Sequence, residues 1–197
     1  MFAKAPIAGA VKTRLIPTLG AEGAARLHEA LALHALATAA RAQPAALQLW
    51  CAPDASHPFF ADCAARFGCA LRVQDGLDLG ERMAVAFADS APLVLVGTDC
   101  PVLTASHLAR AWQGLAANDA AIAPAEDGGY VLIALARPAP WLFLDMAWGD
   151  ADVMTRTRKR LAAAGMRCAE LETLWDVDRP DDYRRLQASG IALEVPA

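Results

Sequence analysis

Three cations, Lys4, Lys12 and Arg14, fall within one irregular stretch, Phe2 to Pro17, together with Gly9 and Thr13. Pro6 and Pro17 bracket the stretch and keep it from being absorbed into a helix. Gly9 lets the backbone bend or approach a ligand closely. Basic side chains beside exposed amides suit a di- or triphosphate. The same residues would also make a plain solvated basic loop, but such grouping in a chain of net charge -4 favours phosphate. The Gly-x-x-Lys-Thr spacing invites a P-loop reading, which fails. Val11 rather than glycine precedes Lys12, and no glycine opens the pattern.

Three acidic clusters follow. In Gly97-Thr98-Asp99-Cys100-Pro101 an apolar strand ends in a carboxylate. Ligands of open α/β sheets bind outside the carboxyl ends of strands, so Asp99 stands where a catalytic or metal-binding acid belongs. Mg²⁺ takes one or two carboxylates plus substrate phosphates. The alternative is an aspartate that caps the helix beginning near Thr104. Glu126-Asp127-Gly128-Gly129-Tyr130 joins an acid to paired glycines, a turn that brings backbone close to a ligand or, equally, an ordinary hairpin turn. In Asp176-Val177-Asp178 strand alternation points both carboxylates the same way, and Pro180 then opens a helix. A second metal ligand could come from here.

The elements that must position these residues alternate. Apolar runs at 47–51, 70–73, 93–96, 120–123 and 130–135 read as strands. Between and after them, alanine-rich stretches at 21–41, 58–67, 79–88, 104–117, 151–164 and 180–187 have helical spacing. Thr104 suits an N-cap, and Gly68 and Gly165 suit helix stops. The pattern implies a mostly parallel sheet with helices on both faces, and the run 92–97 suits a central strand. Tyr130 to Leu135, directly after the glycine pair, signals a departure from simple βαβ winding. No linker or repeat interrupts the chain, so residues 1–197 are expected to form a single domain. An opening strand of Met1 to Ala3 is short, which fits either a truncated strand or a start codon further upstream.

Composition narrows the function classes. With 56% hydrophobic and 20% charged residues, the 197-residue chain is globular rather than disordered or fibrous. Its acidic balance argues against nucleic acid as a partner. No run approaches the ~18 apolar residues that span a bilayer, and no signal peptide opens the chain, so the cytoplasm is the expected compartment. Cys51, Cys63, Cys69, Cys100 and Cys168 lack any C-x-x-C pair and read as small core residues of a reduced protein. His28, His34, His57 and His107 share no metal-ligand spacing and read as core or surface residues. Trp148 could wall a sugar or base pocket, although such rings more often serve a core.

Together the clusters carry a resemblance that covers the chain to about residue 188. Lys4-x-Pro6-x-x-Gly9-x-x-Lys12-Thr13-Arg14-Leu15, Gly97 to Pro101, Glu126 to Tyr130 and Asp176 to Asp182 occur in that order, with Gln74 to Met83 and Trp148 to Val153 between. The chain resembles the small bacterial GT-A-fold transferases labelled glycosyltransferases, some tied to arsenosugar or radical-SAM gene neighbourhoods. It is more distantly similar to 2-phospho-lactate and molybdenum-cofactor guanylyltransferases. The resemblance implies a three-layer α/β/α fold with a mostly parallel, Rossmann-like sheet (the nucleotide-diphospho-sugar transferase fold). It also implies that Lys4, Gly9, Lys12, Thr13 and Arg14 take phosphates, with Gln74, Gly80, Arg82 and Thr98 bordering the nucleotide. Asp99 would be one ligand of Mg²⁺ or Mn²⁺ and Asp178 the second, with Asp176 or Asp127 as alternatives. Gly128, Gly129, Tyr130 and Trp148 would face the acceptor or sugar. Arg179 departs from the threonine of the distant relatives, and Asp99 stands alone where glycosyltransferases of this fold usually carry Asp-x-Asp.

Two reactions fit. In glycosyl transfer, a nucleotide sugar would lose its diphosphate to a small acceptor, with Asp99 and its metal at the leaving group and Asp127 as base. In nucleotidyl transfer, a sugar phosphate or phospho-acid would attack a nucleoside triphosphate, with Lys12 and Arg14 at the transition state. A non-catalytic nucleotide-binding module is the third reading.

Overall fold

A computed structural model of the chain describes residues 1–193. The chain gathers into two compact units built from interleaved segments. Met1–Val73, Gly97–Leu103 and the segment from Asp176 onward make the first, and Gln74–Val96 and Thr104–Trp175 the second.

In the first unit, β1 (Phe2–Lys4) leads through a 3-10 turn (Thr13–Leu15) into α1 (Ile16–Arg41). Then come β2 (Gln48–Ala52), α2 (Pro58–Phe67) and β3 (Ala70–Val73). The three strands pair in parallel in the order β1-β2-β3. Gly20 interrupts α1 with φ 71 and ψ 167, so the continuous helix starts at Ala21 as its spacing predicts. The extra turn, 16–19, forms because Pro17 sits at a first-turn position, where its missing N–H costs nothing. The helix α2 starts on the His57 ring, which accepts from the Phe59 N–H, and ends at Gly68 in the left-handed region. Leu15, Leu31, Leu36, Leu49 and Phe60 are among the fully buried side chains.

The second unit contains α3 (Leu79–Ser90), β4 (Leu93–Val96), α4 (Ala105–Gly114), β5 (Ala120–Pro124) and β6 (Tyr130–Leu135). A 3-10 turn (Pro140–Leu142), α5 (Val153–Ala163) and β7 (Cys168–Glu170) complete it. Its sheet order is β4-β6-β5-β7. The strand β6 runs antiparallel to both neighbours, and β5 pairs in parallel with β7. The departure signalled by Gly128-Gly129 is therefore a hairpin, with a register shift at Ala123/Pro124. Phe87, Ile122, Leu132, Ile133, Leu135, Leu142 and Phe143 fill this core. Last in the chain, α6 (Pro180–Ala188) returns to the first unit.

Thr104 caps α4, with His107 reciprocating. All five cysteines are free thiols, and four are buried. Among the described residues no helix is long and apolar enough to cross a membrane.

Candidate functional site

In the first unit the basic loop closes on the loop that carries Asp99. After β1 the chain turns at residues 8–10 and reaches Lys12 at φ 46, ψ 41. That left-handed conformation costs a residue with a side chain about 1–2 kcal/mol, so something must hold it. Two anchors do. The Leu15 N–H bonds the Lys12 carbonyl at 2.8 Å while the Leu15 side chain is fully buried. The Lys12 ammonium is itself buried, donating to the Val177 carbonyl at 2.6 Å and to Asp99 Oδ1 at 2.9 Å. Val11 and Lys12 are buried at this turn, whereas Thr13 and Arg14 are exposed.

Asp99 lies three residues past the end of β4 in the chain. Its Oδ1 also accepts from the buried Thr98 hydroxyl at 2.8 Å, and its own carbonyl receives the Val177 N–H at 2.9 Å. The Pro101 carbonyl is held by His34 Nε2 at 3.0 Å, which fixes the turn after it. Desolvation pushes the Asp99 carboxyl upward, but Lys12, then His28, and the hydrogen bonds from Lys12 and Thr98 together hold it below the ordinary range. The side chain keeps 43% of its exposure, so it is both paired and reachable.

Two further residues complete the cluster. Arg14 forms an ion pair with Asp178, whose N–H bonds Asp182 at the start of α6. His28 is buried and contacts the Lys4 carbonyl through Nε2 at 3.0 Å. Burial first, with Lys12 and Lys4 adding, lowers its pKa against the opposing pull of Asp99 and the Lys4 carbonyl. The Lys4 side chain and Gly9 lie on the exposed side of the loop.

The structure thus joins Lys12, Thr98 and Asp99 directly, and Arg14 to Asp178. Sequence reasoning missed the Val177 carbonyl, a backbone acceptor with no residue signature. It also left His28 among the generic histidines, although its place 24 residues beyond Lys4 on a helix carried no signal of that contact.

The other expected residues belong to the second unit. The half-buried Gln74 opens the loop before α3, and Arg82 Nε pins that loop at the Gly76 carbonyl at 3.1 Å. Gly80 is buried, and a Cβ there would lie 2.5 Å from the Phe143 carbonyl and 2.8 Å from Trp148 Nε1. Gly128 has φ +94, and a Cβ there would lie 2.0 Å from the Ala151 carbonyl. The exposed Asp127 accepts the Gly129 N–H at 2.9 Å, a side-chain-closed turn. Tyr130 meets Trp148 edge-on with centroids 6.4 Å apart, and Phe143 packs against Trp148 at 6.5 Å. Burial raises the Tyr130 phenol far above its usual value, and its one described polar contact is Met83 Sδ at 4.0 Å. Among the described residues, the buried Trp148 Nε1 and Asp152 Oδ1 have no hydrogen-bond partner.

Solved structures share this architecture. A candidate nucleotide-diphospho-sugar transferase from Desulfovibrio desulfuricans G20 superposes with a TM-score of 0.80 at 36% identity, over 90% of this chain and 80% of its own. Rv0371c of Mycobacterium tuberculosis H37Rv matches at 22% identity and TM-score 0.55, covering 80% of this chain and 84% of that one. Its homolog from Mycobacterium sp. strain JC1 matches at 23% and 0.52, covering 95% and 94%. At those identities the mycobacterial pair speaks to fold alone. A comparison with curated proteins finds no match. The chain is an α/β protein of the nucleotide-diphospho-sugar transferase (GT-A) fold. It belongs to the family described as "Uncharacterized protein conserved in bacteria (DUF2064)", whose model matches residues 35–150. That span includes Asp99, Asp127 to Tyr130 and Trp148, and leaves Lys12, Arg14 and Asp178 outside.

Proposed function

We propose that the protein is a nucleotide-dependent transferase that moves a glycosyl group from a nucleoside-diphosphate sugar to the hydroxyl of a small acceptor. The observation that supports this most is the cluster in which Lys12 and Arg14 stand against Asp99 and Asp178. It offers two cations for a diphosphate beside two carboxylates. The likeness to a candidate nucleotide-diphospho-sugar transferase over 90% of the chain narrows the donor class.

Among the described residues no group of three or more His, Cys, Asp or Glu side chains could hold a metal. A closed protein cage is thus not on offer, but Mg²⁺ seldom needs one, because substrate phosphates and water complete its shell. The 43% exposure of Asp99 and 35% of Asp178 fits that mode. Asp99 and Asp178 would hold Mg²⁺ or Mn²⁺, which when bound supplies Lewis-acid stabilisation of the leaving diphosphate. Lys12 and Arg14 would bind the diphosphate oxygens, with Lys4, Gly9 and Thr13 lining the same loop and Thr98 orienting Asp99. Gln74, Gly80 and Arg82 would border the nucleotide. Gly128, Gly129, Tyr130 and Trp148 would shape the acceptor or sugar subsite. The acceptor oxygen would attack the anomeric carbon, the bond to diphosphate would break, and Asp127 would take the hydroxyl proton.

Nucleotidyl transfer is the second reading, and the buried ammonium of Lys12 is what favours it. A fixed cation of this kind serves an in-line attack on an α-phosphate, with pyrophosphate leaving. Incubation with Mg²⁺, candidate acceptors, and panels of sugar nucleotides and nucleoside triphosphates separates the readings. Release of nucleoside diphosphate is the expected result. Pyrophosphate release replaces the first reading with the second. Tight nucleotide binding with no turnover means a binding module, and absence of binding overturns all three.

A further inference from the structure

Lys12 with Asp99 and Arg14 with Asp178 form two ion pairs, two cations against two anions. The Lys12 side chain keeps only 3% exposure, its ammonium between Asp99 Oδ1 and the Val177 carbonyl, whereas the Arg14 side chain keeps 60% at Asp178. The two carboxylate segments are tied by the Val177 N–H to the Asp99 carbonyl at 2.9 Å. The charges of these four side chains cancel.

We propose that Lys12 and Arg14 are resident counter-ions of Asp99 and Asp178, so that a divalent cation and a diphosphate enter this site only together. The inference rests on the reading that this cluster is the diphosphate site. A divalent cation arriving alone meets carboxylates that are already neutralised and two positive groups beside them. It can reach the exposed edge of Asp99, but there it faces the Lys12 ammonium held against Oδ1 and the Val177 carbonyl, a like charge in a poorly hydrated place. A diphosphate arriving alone has the mirror problem, because drawing Lys12 and Arg14 toward it exposes two carboxylates to an anion.

When both arrive, each cation exchanges a carboxylate for a phosphate oxygen, and each carboxylate exchanges a cation for the metal. No charge is left unpaired. The backbone is suited to this exchange. The left-handed Lys12 and the buried Leu15 anchor the turn, so the partner change takes only rotation of the two long side chains. By linkage, each ligand must raise the affinity of the other by the same factor, and such couplings commonly run about 5–150-fold.

Metal alone gives the decisive test, since metal and diphosphate also associate in solution. Mn²⁺ binding is titrated by electron paramagnetic resonance without any phosphate. Wild type should bind Mn²⁺ at least about tenfold more weakly than Lys12→Met, at the low end of such couplings, and Lys12→Met/Asp99→Asn should return to weak binding. Equal Mn²⁺ affinity in wild type and Lys12→Met overturns the proposal. A second measurement covers a Lys12→Met chain that fails to fold. In wild type labelled with ¹⁵N-lysine, the Lys12 ammonium resonance should stay in place with Mg²⁺ alone and shift with Mg²⁺ plus inorganic diphosphate. A shift with Mg²⁺ alone, or none with both, overturns it. Turnover of sugar nucleotides by a protein that fails these tests would leave the transferase reading standing. The expected ion behaviour without turnover on any nucleotide would do the reverse.

Discussion

The cluster around Lys12 and the aromatic patch around Trp148 handle polar atoms in opposite ways. In the first, a buried ammonium, a threonine hydroxyl and a carboxylate satisfy one another. In the second, Trp148 Nε1 is buried with nothing to bond among the described residues, and the one described polar contact of the Tyr130 hydroxyl is a thioether at 4.0 Å. A buried polar group left unsatisfied costs about 1–3 kcal/mol, so the fold tolerates in one place what it avoids in the other. The Lys12 region is held by paired charges and hydrogen bonds. The Trp148 region is held by shape: rings at 5.7 Å and 6.5 Å from Phe143, and glycines where no Cβ fits.

The largest expected effect attacks that shape. In Gly128→Ala the new Cβ would sit 2.0 Å from the Ala151 carbonyl at φ +94. Overpacking and left-handed strain add, so stability should fall by about 3–5 kcal/mol in chemical denaturation. Gly129→Ala is the control, because its Cβ would approach only the movable Asp127 carboxylate at 3.2 Å. Its cost should stay within about 1 kcal/mol, the propensity and packing scale of a tolerated change. Equal losses would mean that the hairpin, and not the seat of residue 151, is what glycine serves.

Asp99→Asn comes next and attacks the paired region. Removing one partner of a fully buried ion pair costs about 3–5 kcal/mol, and the partial exposure of Asp99 brings the expectation to about 2 kcal/mol. Metal-dependent nucleotide binding should vanish as well. Unchanged Mg²⁺-dependent affinity by calorimetry would take Asp99 out of the proposed metal site.

Much of this contrast was legible in residue types, and the reasons for the rest are physical. The span of α2 and the Thr104 cap could be read because prolines, glycines and capping residues act locally. The Gly128-Gly129 turn signalled a departure from βαβ winding for the same reason, while the antiparallel pairing of β6 is seen only in the structure. The strand β7 escaped notice, since Cys168–Glu170 carries no alternation and exists as a strand through pairing with β5. Lys12 and Asp99 were both identified, but not their contact, which joins residues 87 apart through a conformation that sequence spacing does not encode. For Trp148 the residue type leaves a pocket wall and a core ring both open, and nothing in its sequence neighbours tells that its N–H lies against Gly80.

A smaller, pH-confined effect sharpens the electrostatic side. His28 has a lowered pKa in the fold, through burial first, so the unfolded chain binds its proton more readily. Its contribution is complete above the unfolded value of about 6.5 and is lost as pH falls through the folded value. Asp99, also lowered, acts in a separate acidic window below the unfolded carboxylate value, where protonation removes its pairing. Denaturation of wild type and His28→Gln across pH 7 to 5 should show a shallower slope in the variant. Identical slopes would remove His28 from the balance that faces Asp99, Lys4 and Lys12.

The finest test sets one lost hydrogen-bonding group against another. Thr98→Val removes a hydroxyl that donates to Asp99 at 2.8 Å and should cost about 1 kcal/mol, the net worth of a satisfied bond. Trp148→Phe removes an N–H that bonds nothing among the described residues. The relief of a stranded donor, about 1–3 kcal/mol, then opposes the loss of roughly one ring's worth of apolar burial, so the change should be near zero. If the indole N–H is held in reserve for a ligand, the penalty will appear only in acceptor affinity, with KM rising while melting temperature stays put. A Trp148→Phe chain that loses as much stability as Thr98→Val would show that the N–H is bonded in solution, and the contrast between the two regions would collapse.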